Sequence, residues 1–188
     1  MNEKNNEFSI IPSIRMIKDL SYALTLKNEY ILLSEAHIGN LKSLVDTCHK
    51  ANKKAIVNVE LIGGLNLDKT GIHLLKKLYQ VDMVICSSTA KLNMMKSIGL
   101  KTIQRITLMD SKSFDTSSKA IVDSKCDLIE LRPGVYGIKY IDRLKKIKNV
   151  PMILGGFVED ELLVNEARKT GFIGVTTSCK DLWHIKTK

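Results

Sequence analysis

Short apolar runs alternate with amphipathic segments along the chain, and this alternation restricts the fold more than any other feature. The segments between the runs have helical periodicity, as in LKSLVDTCHKANKK and YIDRLKKIK. Regular alternation of strand and helix predicts parallel strands joined by right-handed crossover helices. The runs with the length and composition of buried strands are FSIIPSI, EYILLSE, KAIVNVEL, VDMVICSS, KTIQRITLM, DLIELR, PMILGG and IGVTTS.

Two architectures are built from such units. Eight units close a TIM-type (β/α)8 barrel, which usually takes about 250 residues. The chain has 188 residues, so its loops must be short, and one unit is expected to be clipped or distorted. The alternative is an open doubly wound sheet, but the GxGxxG motif typical of many such sheets is absent from the sequence. We predict one compact TIM-barrel-like α/β domain over residues 1–188.

Composition indicates the cellular compartment. No stretch reaches the roughly 18 consecutive apolar residues of a membrane span, and the polar segment MNEKNNEFS differs from a signal peptide. The four cysteines are scattered and have no histidine at metal-ligand spacing. We therefore expect a cytoplasmic protein with reduced thiols, without a metal site and without a membrane partner.

The charge of the chain is strongly positive. A formal net charge of +9 and a pI near 9.3 favour a polyanionic partner, most plausibly a nucleic acid. The same excess of lysine is also typical of solvated helix faces. Charge alone does not decide between the two.

Polar residues at the carboxyl ends of the predicted strands are the candidate site, because ligands of both architectures bind there. Glu60, Arg105 and Glu130 lie in or next to apolar strands, where an unpaired charge is costly. They predict either ion pairs that close the barrel mouth or a polar pocket. His37 with Glu35, or Glu60 with Glu130, could act as acid and base, and carboxylates near a phosphate could share Mg²⁺. No spacing marks either chemistry.

The last two strands indicate the ligand. In PMILGGFVEDE, two glycines stand where an apolar strand ends and a helix begins, which leaves backbone amides open to close approach. The next strand ends in three hydroxyl residues, and TIM barrels frequently bind phosphate at these two strand ends. We therefore predict a phosphate site there. The acids Glu159–Glu161 are expected to start the helix and to point away from the anion.

Several segments together resemble a known family. In sequence and spacing they are similar to the glycerol-3-phosphate-responsive antiterminators of glycerol uptake operons. The resemblance implies a compact TIM-barrel-like fold and a regulator rather than an enzyme, with no cofactor. It also implies that glycerol 3-phosphate is the ligand and that the liganded protein binds leader mRNA, so that transcription passes a terminator before glycerol-metabolism genes. The segments are IPSIR, EAHIGNLK, NVELIGGL, IQRITLMD, ELRPGV, GGF and VTTSCKDLW, including the terminal TTSxxxLW pattern.

The family pattern implies a role for individual residues. The residues expected at the ligand phosphate are Gly155, Gly156, Thr176, Thr177 and Ser178. The residues expected at the glycerol end are Glu35, His37, Glu60, Gln104, Arg105 and Glu130.

The chain departs from the family pattern at several of these strand ends. Glu35 and Glu60 stand where Asp is usual, which lengthens each side chain by a methylene, and Asn58 stands where His is usual. Ser88 replaces a frequent basic residue, whereas Arg132 stands where an apolar residue is common. The cation that meets an anionic ligand is therefore expected to have moved across the barrel.

Binding of RNA requires Lys and Arg that neutralise phosphates. The candidate RNA surface is the basic group Arg143, Lys145, Lys146 and Lys148. The leading hypothesis is a regulator that binds RNA when a small phosphorylated metabolite is bound. The alternatives are a barrel enzyme acting on such a metabolite, with Glu60 or Glu130 as base, and a sensor that acts through a protein partner. A homo-oligomer is compatible with each.

Overall fold

Each of the predicted apolar runs contains one strand in the computed structural model, which describes residues 8–185. Most of these strands are buried on both faces, as their composition predicts. The polar beginning of the chain, residues 1–7, and residues 186–188 lie outside the described residues. The strands are β1 (Ser9–Ile14), β2 (Tyr30–Leu33), β3 (Ala36–His37), β4 (Lys54–Asn58), β5 (Ile62–Gly63), β6 (Met83–Cys86), β7 (Lys101–Thr107), β8 (Leu128–Arg132), β9 (Met152–Gly155) and β10 (Gly174–Thr177).

Eight of the strands form a closed parallel barrel in the order β1-β10-β9-β8-β7-β6-β4-β2. The ring closes because β1 pairs with β2 on one side and with β10 on the other. Closure excludes the open doubly wound sheet, and the predicted (β/α)8 barrel is confirmed. The short strands β3 and β5 pair only with each other, above the barrel.

The predicted clipped unit is the eighth. After β10 the described chain makes only a 3-10 turn, Lys180–Leu182, in place of the expected last helix. The first unit is also short, since a 3-10 turn (Ile17–Asp19) precedes a six-residue helix. No helix within residues 8–185 is long and apolar enough to cross a membrane. The helices are α1 (Leu20–Thr25), α2 (Leu41–Lys50), α3 (Lys69–Lys77), α4 (Thr89–Ser97), α5 (Ser111–Val122), α6 (Gly134–Ile147) and α7 (Glu161–Lys169).

Short polar side chains fix where the helices begin. Asp68, Ser88, Asp110 and Asp160 each accept a hydrogen bond from a backbone N–H in the first turn of their helix. Such N-caps replace the hydrogen bonds that the first turn lacks. Asp160 therefore starts α7, as the acidic residues after the two glycines predicted.

The two-residue period of the strands sorts the apolar residues into two layers. One set of side chains packs under the helices, and the other fills the barrel interior. Towards the carboxyl ends of the strands, the inward positions become polar and face a cavity. The interior set is Ile11, Tyr30, Leu32, Ile56, Met83, Ile85, Ile103, Leu128 and Ile153. The polar set above it is Ser13, Ser34, Asn58, Arg105, Glu130 and Thr176.

The pairing of β1 with β10, which we call the seam of the barrel, allows a test of barrel closure. Gly174 lies opposite Ser9, and a Cβ on Gly174 would collide with the backbone carbonyl oxygen of Ser9. Gly174→Ala must therefore push the two strands apart, and we expect it to lower the free energy of unfolding by about 2 kcal/mol in urea titrations. Gly39→Ala is the matched control, because its Cβ would meet only the exposed side chain of His37. Equal effects of the two substitutions would contradict this account of the seam.

Candidate functional site

A cavity of about 400 Å³ opens at the carboxyl ends of the barrel strands. The polar layer of the barrel forms its floor. Side chains from the loops that follow the strands form its rim. The rim includes Arg15, Glu35, Phe157, Glu159 and Ser178.

A buried ion pair stands at the centre of the floor. Glu130 Oε2 accepts a 2.6 Å hydrogen bond from Arg105 Nε, and its Oε1 accepts a 2.8 Å hydrogen bond from the hydroxyl of Thr176. The two charged side chains are 1% and 10% exposed. The sequence left open whether such charges form ion pairs or a pocket, and here the pair forms the floor of the pocket.

The two glycines at the end of β9, Gly155 and Gly156, are each required for a different structural reason. A Cβ on Gly155 would lie 2.5 Å from the Thr176 hydroxyl and 2.7 Å from Glu130 Oε1, so the protein's own side chains fill that space. Gly156 has a φ of +72°, in the left-handed region that favours glycine. Of the two, only Gly156 lines the cavity.

Arg132 is a second cation in the cavity, two residues after Glu130 on the same face of β8. Its Nε lies 2.9 Å from the position that a Cβ on Gly156 would take. Burial lowers the pKa of Arg132, nearby Glu130 opposes this shift, and Arg105 adds to it. Within the described part of the chain, no carboxylate forms an ion pair with Arg132.

Phe157 follows Gly156 and also has a positive φ, +56°. This conformation is costly for a bulky L-residue. The side chain gains no burial in return, since it is 77% exposed at the rim of the cavity. The loop after β9 therefore holds a strained, exposed aromatic residue next to Gly156, at the rim of the cavity.

The opposite side of the cavity carries neutral polar groups. The hydroxyls of Ser13 and Ser34 are 2.8 Å apart. Asn58 accepts a hydrogen bond from the amide of Glu60 through Oδ1, whereas its Nδ2 has no acceptor among the described residues. Hydroxyl and amide groups in this arrangement suit the hydroxyl groups of a small polyol.

The structure brings many of the sequence-predicted residues to the cavity. Two of them direct their hydroxyl hydrogens to the protein itself. Thr176 donates to Glu130, and Thr177 donates to the carbonyl of Val158 at 2.6 Å. The predicted residues that line the cavity are Glu35, Arg105, Glu130, Gly156, Thr176, Thr177 and Ser178.

Gln104 does not line the cavity, contrary to the sequence prediction. Its Nε2 donates to the carbonyl of Ser87, and its Oε1 accepts from the hydroxyl of Ser124. Adjacent residues of a strand point to opposite faces. Because Arg105 faces inward, Gln104 must face the helices.

Glu60 and His37 also lie outside the cavity lining. Glu60 lies in a 3-10 turn after β4, where its carboxylate accepts from the amide and the hydroxyl of Ser87. His37 belongs to the small β3–β5 ladder above the barrel, and its Nδ1 accepts from the Gly39 amide. Neither predicted acid–base pair is therefore assembled in the cavity.

Three further residues line the cavity although the sequence analysis did not place them at the ligand. Glu159, which was expected to point away from a bound anion, is among the residues that line the cavity. Ser13 and Ser34 were not predicted at all. Counting in steps of two from Ile11 and Leu32 along β1 and β2 would have placed both on the inward face.

The basic group on α6 is largely engaged within the fold. Lys145 donates to the carbonyls of Thr170 and Gly171, and Lys148 donates to the carbonyl of Val122. The guanidinium of Arg143 lies 4.2 Å from the centre of the Phe114 ring. Lys146 is exposed and has no partner among residues 8–185. The predicted RNA surface thus offers one cation without an intramolecular role.

Metal and thiol chemistry find little support in the described region. Over residues 8–185, no group of three or more His, Cys, Asp or Glu side chains is arranged to hold a metal ion. The four cysteines are free. Burial raises the pKa of Cys48 and of Cys86 to about 11, which keeps both thiols protonated and unreactive near neutral pH.

Comparisons with known proteins agree with the fold. The family model "Glycerol-3-phosphate responsive antiterminator" matches residues 10–183. A glycerol uptake operon antiterminator regulatory protein from Listeria monocytogenes is 30% identical, with a TM-score of 0.90 and 97% of each chain covered. A glycerol uptake operon antiterminator-related protein from Thermotoga maritima is 23% identical, with a TM-score of 0.82, 95% of this chain and 99% of that chain covered. An uncharacterized protein of Escherichia coli is 27% identical over 94% of both chains.

The ion pair of the cavity floor generates a prediction about stability. Glu130→Gln leaves Arg105 buried without its counter-charge, so we expect the free energy of unfolding at neutral pH to fall by about 3 kcal/mol. Glu29→Gln is the control, since it breaks the exposed pair of Glu29 with Lys54 and should change stability by less than about 1 kcal/mol. Chemical denaturation of both variants measures the difference. Similar losses of unfolding free energy in the two variants would show that the buried pair contributes no more to stability than the exposed pair does.

Proposed function

The chain belongs to the glycerol-3-phosphate-responsive antiterminator family, and we propose that it binds glycerol 3-phosphate and, in that state, a leader mRNA. Binding would let transcription pass a terminator ahead of glycerol-metabolism genes in the cytoplasm. The family match carries this proposal, because its range, residues 10–183, includes every residue that lines the cavity.

The cavity supports a small phosphorylated polyol as the ligand. Its polar floor and the hydroxyls of Ser13 and Ser34 suit a polyol. Arg105 is neutralised by Glu130, whereas Arg132 has no carboxylate at salt-bridge distance within residues 8–185. A ligand with hydroxyl groups at one end and an anionic group at the other matches this distribution.

A regulator fits the site better than an enzyme does. Of the carboxylates considered as bases, Glu60 holds the Ser87 amide outside the cavity lining, and both oxygens of Glu130 accept hydrogen bonds from Arg105 and Thr176. A general base needs to reach a substrate proton. We propose that the chain binds its ligand without turning it over.

The main test of this function measures RNA affinity in the presence and in the absence of glycerol 3-phosphate. We expect leader RNA to bind tightly only when glycerol 3-phosphate is present, measured by fluorescence anisotropy. The logarithm of the affinity should fall linearly with the logarithm of salt concentration, by about 0.7 for each neutralised phosphate of single-stranded RNA. RNA should in turn tighten glycerol 3-phosphate binding by the same factor, because linkage is reciprocal.

Other outcomes of that experiment distinguish the alternatives. Ligand binding without any RNA binding would favour a sensor that acts through a protein partner. Chemical conversion of glycerol 3-phosphate, followed by NMR, would favour the enzyme. Glycerol alone is the ligand control and should leave RNA affinity unchanged.

Lys146 tests whether α6 contacts RNA. If it does, Lys146→Glu should weaken RNA binding and reduce the salt slope by about one phosphate contact. Lys77→Glu introduces the same charge change at an exposed position of α3 and controls for long-range electrostatics. Equal losses in both variants would mean that the RNA surface lies elsewhere.

A further inference from the structure

The sequence and the family pattern place the ligand phosphate between the ends of β9 and β10, but the space beside Gly155 and the two threonine hydroxyls there are already used by the protein. The Thr176 hydroxyl and the Glu130 carboxylate fill the position beside Gly155. Thr176 and Thr177 already donate their hydroxyl hydrogens, to Glu130 and to the Val158 carbonyl. A phosphate group is an acceptor, so neither hydroxyl has a proton left to donate to it.

The space between the ends of β8 and β9, in contrast, holds a cationic hydrogen-bond donor that faces the cavity. The Arg132 guanidinium lies against Gly156, where the lack of a side chain leaves room for it. Both residues line the cavity. The guanidinium is a planar group with several donors, and such a group binds phosphate oxygens in a bidentate manner.

The charge distribution in the half-buried part of the cavity favours an anion beside Arg132. The floor pair of Arg105 and Glu130 is neutral as a unit, and the other charged lining residues, Arg15, Glu35 and Glu159, lie at the exposed rim. Arg132 therefore leaves one positive charge in excess in the half-buried region. Such a charge is unfavourable unless a counter-ion accompanies it, and the described chain provides none at salt-bridge distance.

We propose that Arg132, lying against Gly156, binds the phosphate of the ligand, so that the anion site of this chain lies between the loops after β8 and β9. The hydroxyl end of the ligand then faces Ser13, Ser34 and Asn58 across the cavity. This inference rests on the proposed function for the identity of the ligand, a small polyol phosphomonoester. It assigns the specificity for the charged group to a residue that departs from the family pattern.

Calorimetric titration with glycerol 3-phosphate, glycerol and inorganic phosphate tests the assignment. We expect Arg132→Gln to weaken glycerol 3-phosphate binding by roughly 30-fold, the range of lost hydrogen bonds to a charged group. Glycerol binding should stay unchanged, since it has no phosphate. Arg132→Lys, which keeps the charge but not the bidentate geometry, should lose less. Lys77→Gln removes one positive charge from the exposed face of α3, outside the cavity lining, and should change the affinity by less than about threefold.

Unfolding measurements separate binding from folding. Arg132→Gln removes a cation that has no counter-ion, so the unliganded variant should be at least as stable as the wild type. A large loss of stability would show that Arg132 serves the fold, which would overturn the assignment.

The outcomes distinguish this inference from the proposed function. Tight binding of glycerol 3-phosphate by the wild type and equally by Arg132→Gln would overturn the role of Arg132 and leave the proposed function standing. Binding of inorganic phosphate alone, lost in Arg132→Gln, would support the anion site and contradict glycerol 3-phosphate as the ligand. Binding of neither compound by the folded wild type would overturn both.

Discussion

The buried ion pair between Arg105 and Glu130 determines the character of the functional end of the barrel. It lies where the apolar interior ends, and with Thr176 it connects β7, β8 and β10. Both carboxylate oxygens of Glu130 are engaged, and the space beside Gly155 is filled by Glu130 Oε1 and the Thr176 hydroxyl, which leaves no room for a side chain there. The lack of a partner for Arg132 follows from the same pair, since Glu130 already neutralises Arg105. One interaction therefore closes the core and leaves Arg132, in the half-buried part of the cavity, without a carboxylate at salt-bridge distance among residues 8–185.

The sequence predicts the fold well because burial acts on whole segments. Strands enclosed by helices outside and by the core inside must be apolar on both faces, so all eight barrel strands are visible as apolar runs. The site is harder to predict because its composition depends on single positions. Gln104 and Arg105 are equally polar, yet only the register of β7 decides that Arg105 faces the cavity. The glycines of GGF were correctly placed at a strand end, but the reason for Gly155 is two side chains, Thr176 from β10 and Glu130 from β8.

The positive charge of the chain also has a structural use that the sequence does not reveal. Lysine side chains from one element bind backbone carbonyls at the ends of neighbouring helices, where cations complement the helix dipole. The partners lie 22 to 27 residues away in sequence, so no local pattern shows them. Part of the charge that suggested RNA therefore stabilises helix ends. The lysines that do this are Lys53 at α1, Lys76 at α4, Lys145 at α7 and Lys148 at α5.

Two energetically unfavourable features lie beside the cavity. Arg132 has no counter-ion, and Phe157 has a positive φ without burial. Arg132 ends β8, and Phe157 lies in the loop after β9. Backbone hydrogen bonds of 2.7 Å hold both segments, from the Leu108 amide to the Arg132 carbonyl and from the Gly134 amide to the Gly156 carbonyl. A ligand can shift a conformational equilibrium only by its difference in binding free energy between the states. Under the proposal that Arg132 binds the anion of the ligand, the bound state would lack the first of these unfavourable features, and the exposed residues next to these segments are Met109, Val135 and Phe157. Occupancy of the cavity would then be linked to the conformation of the surface around its mouth.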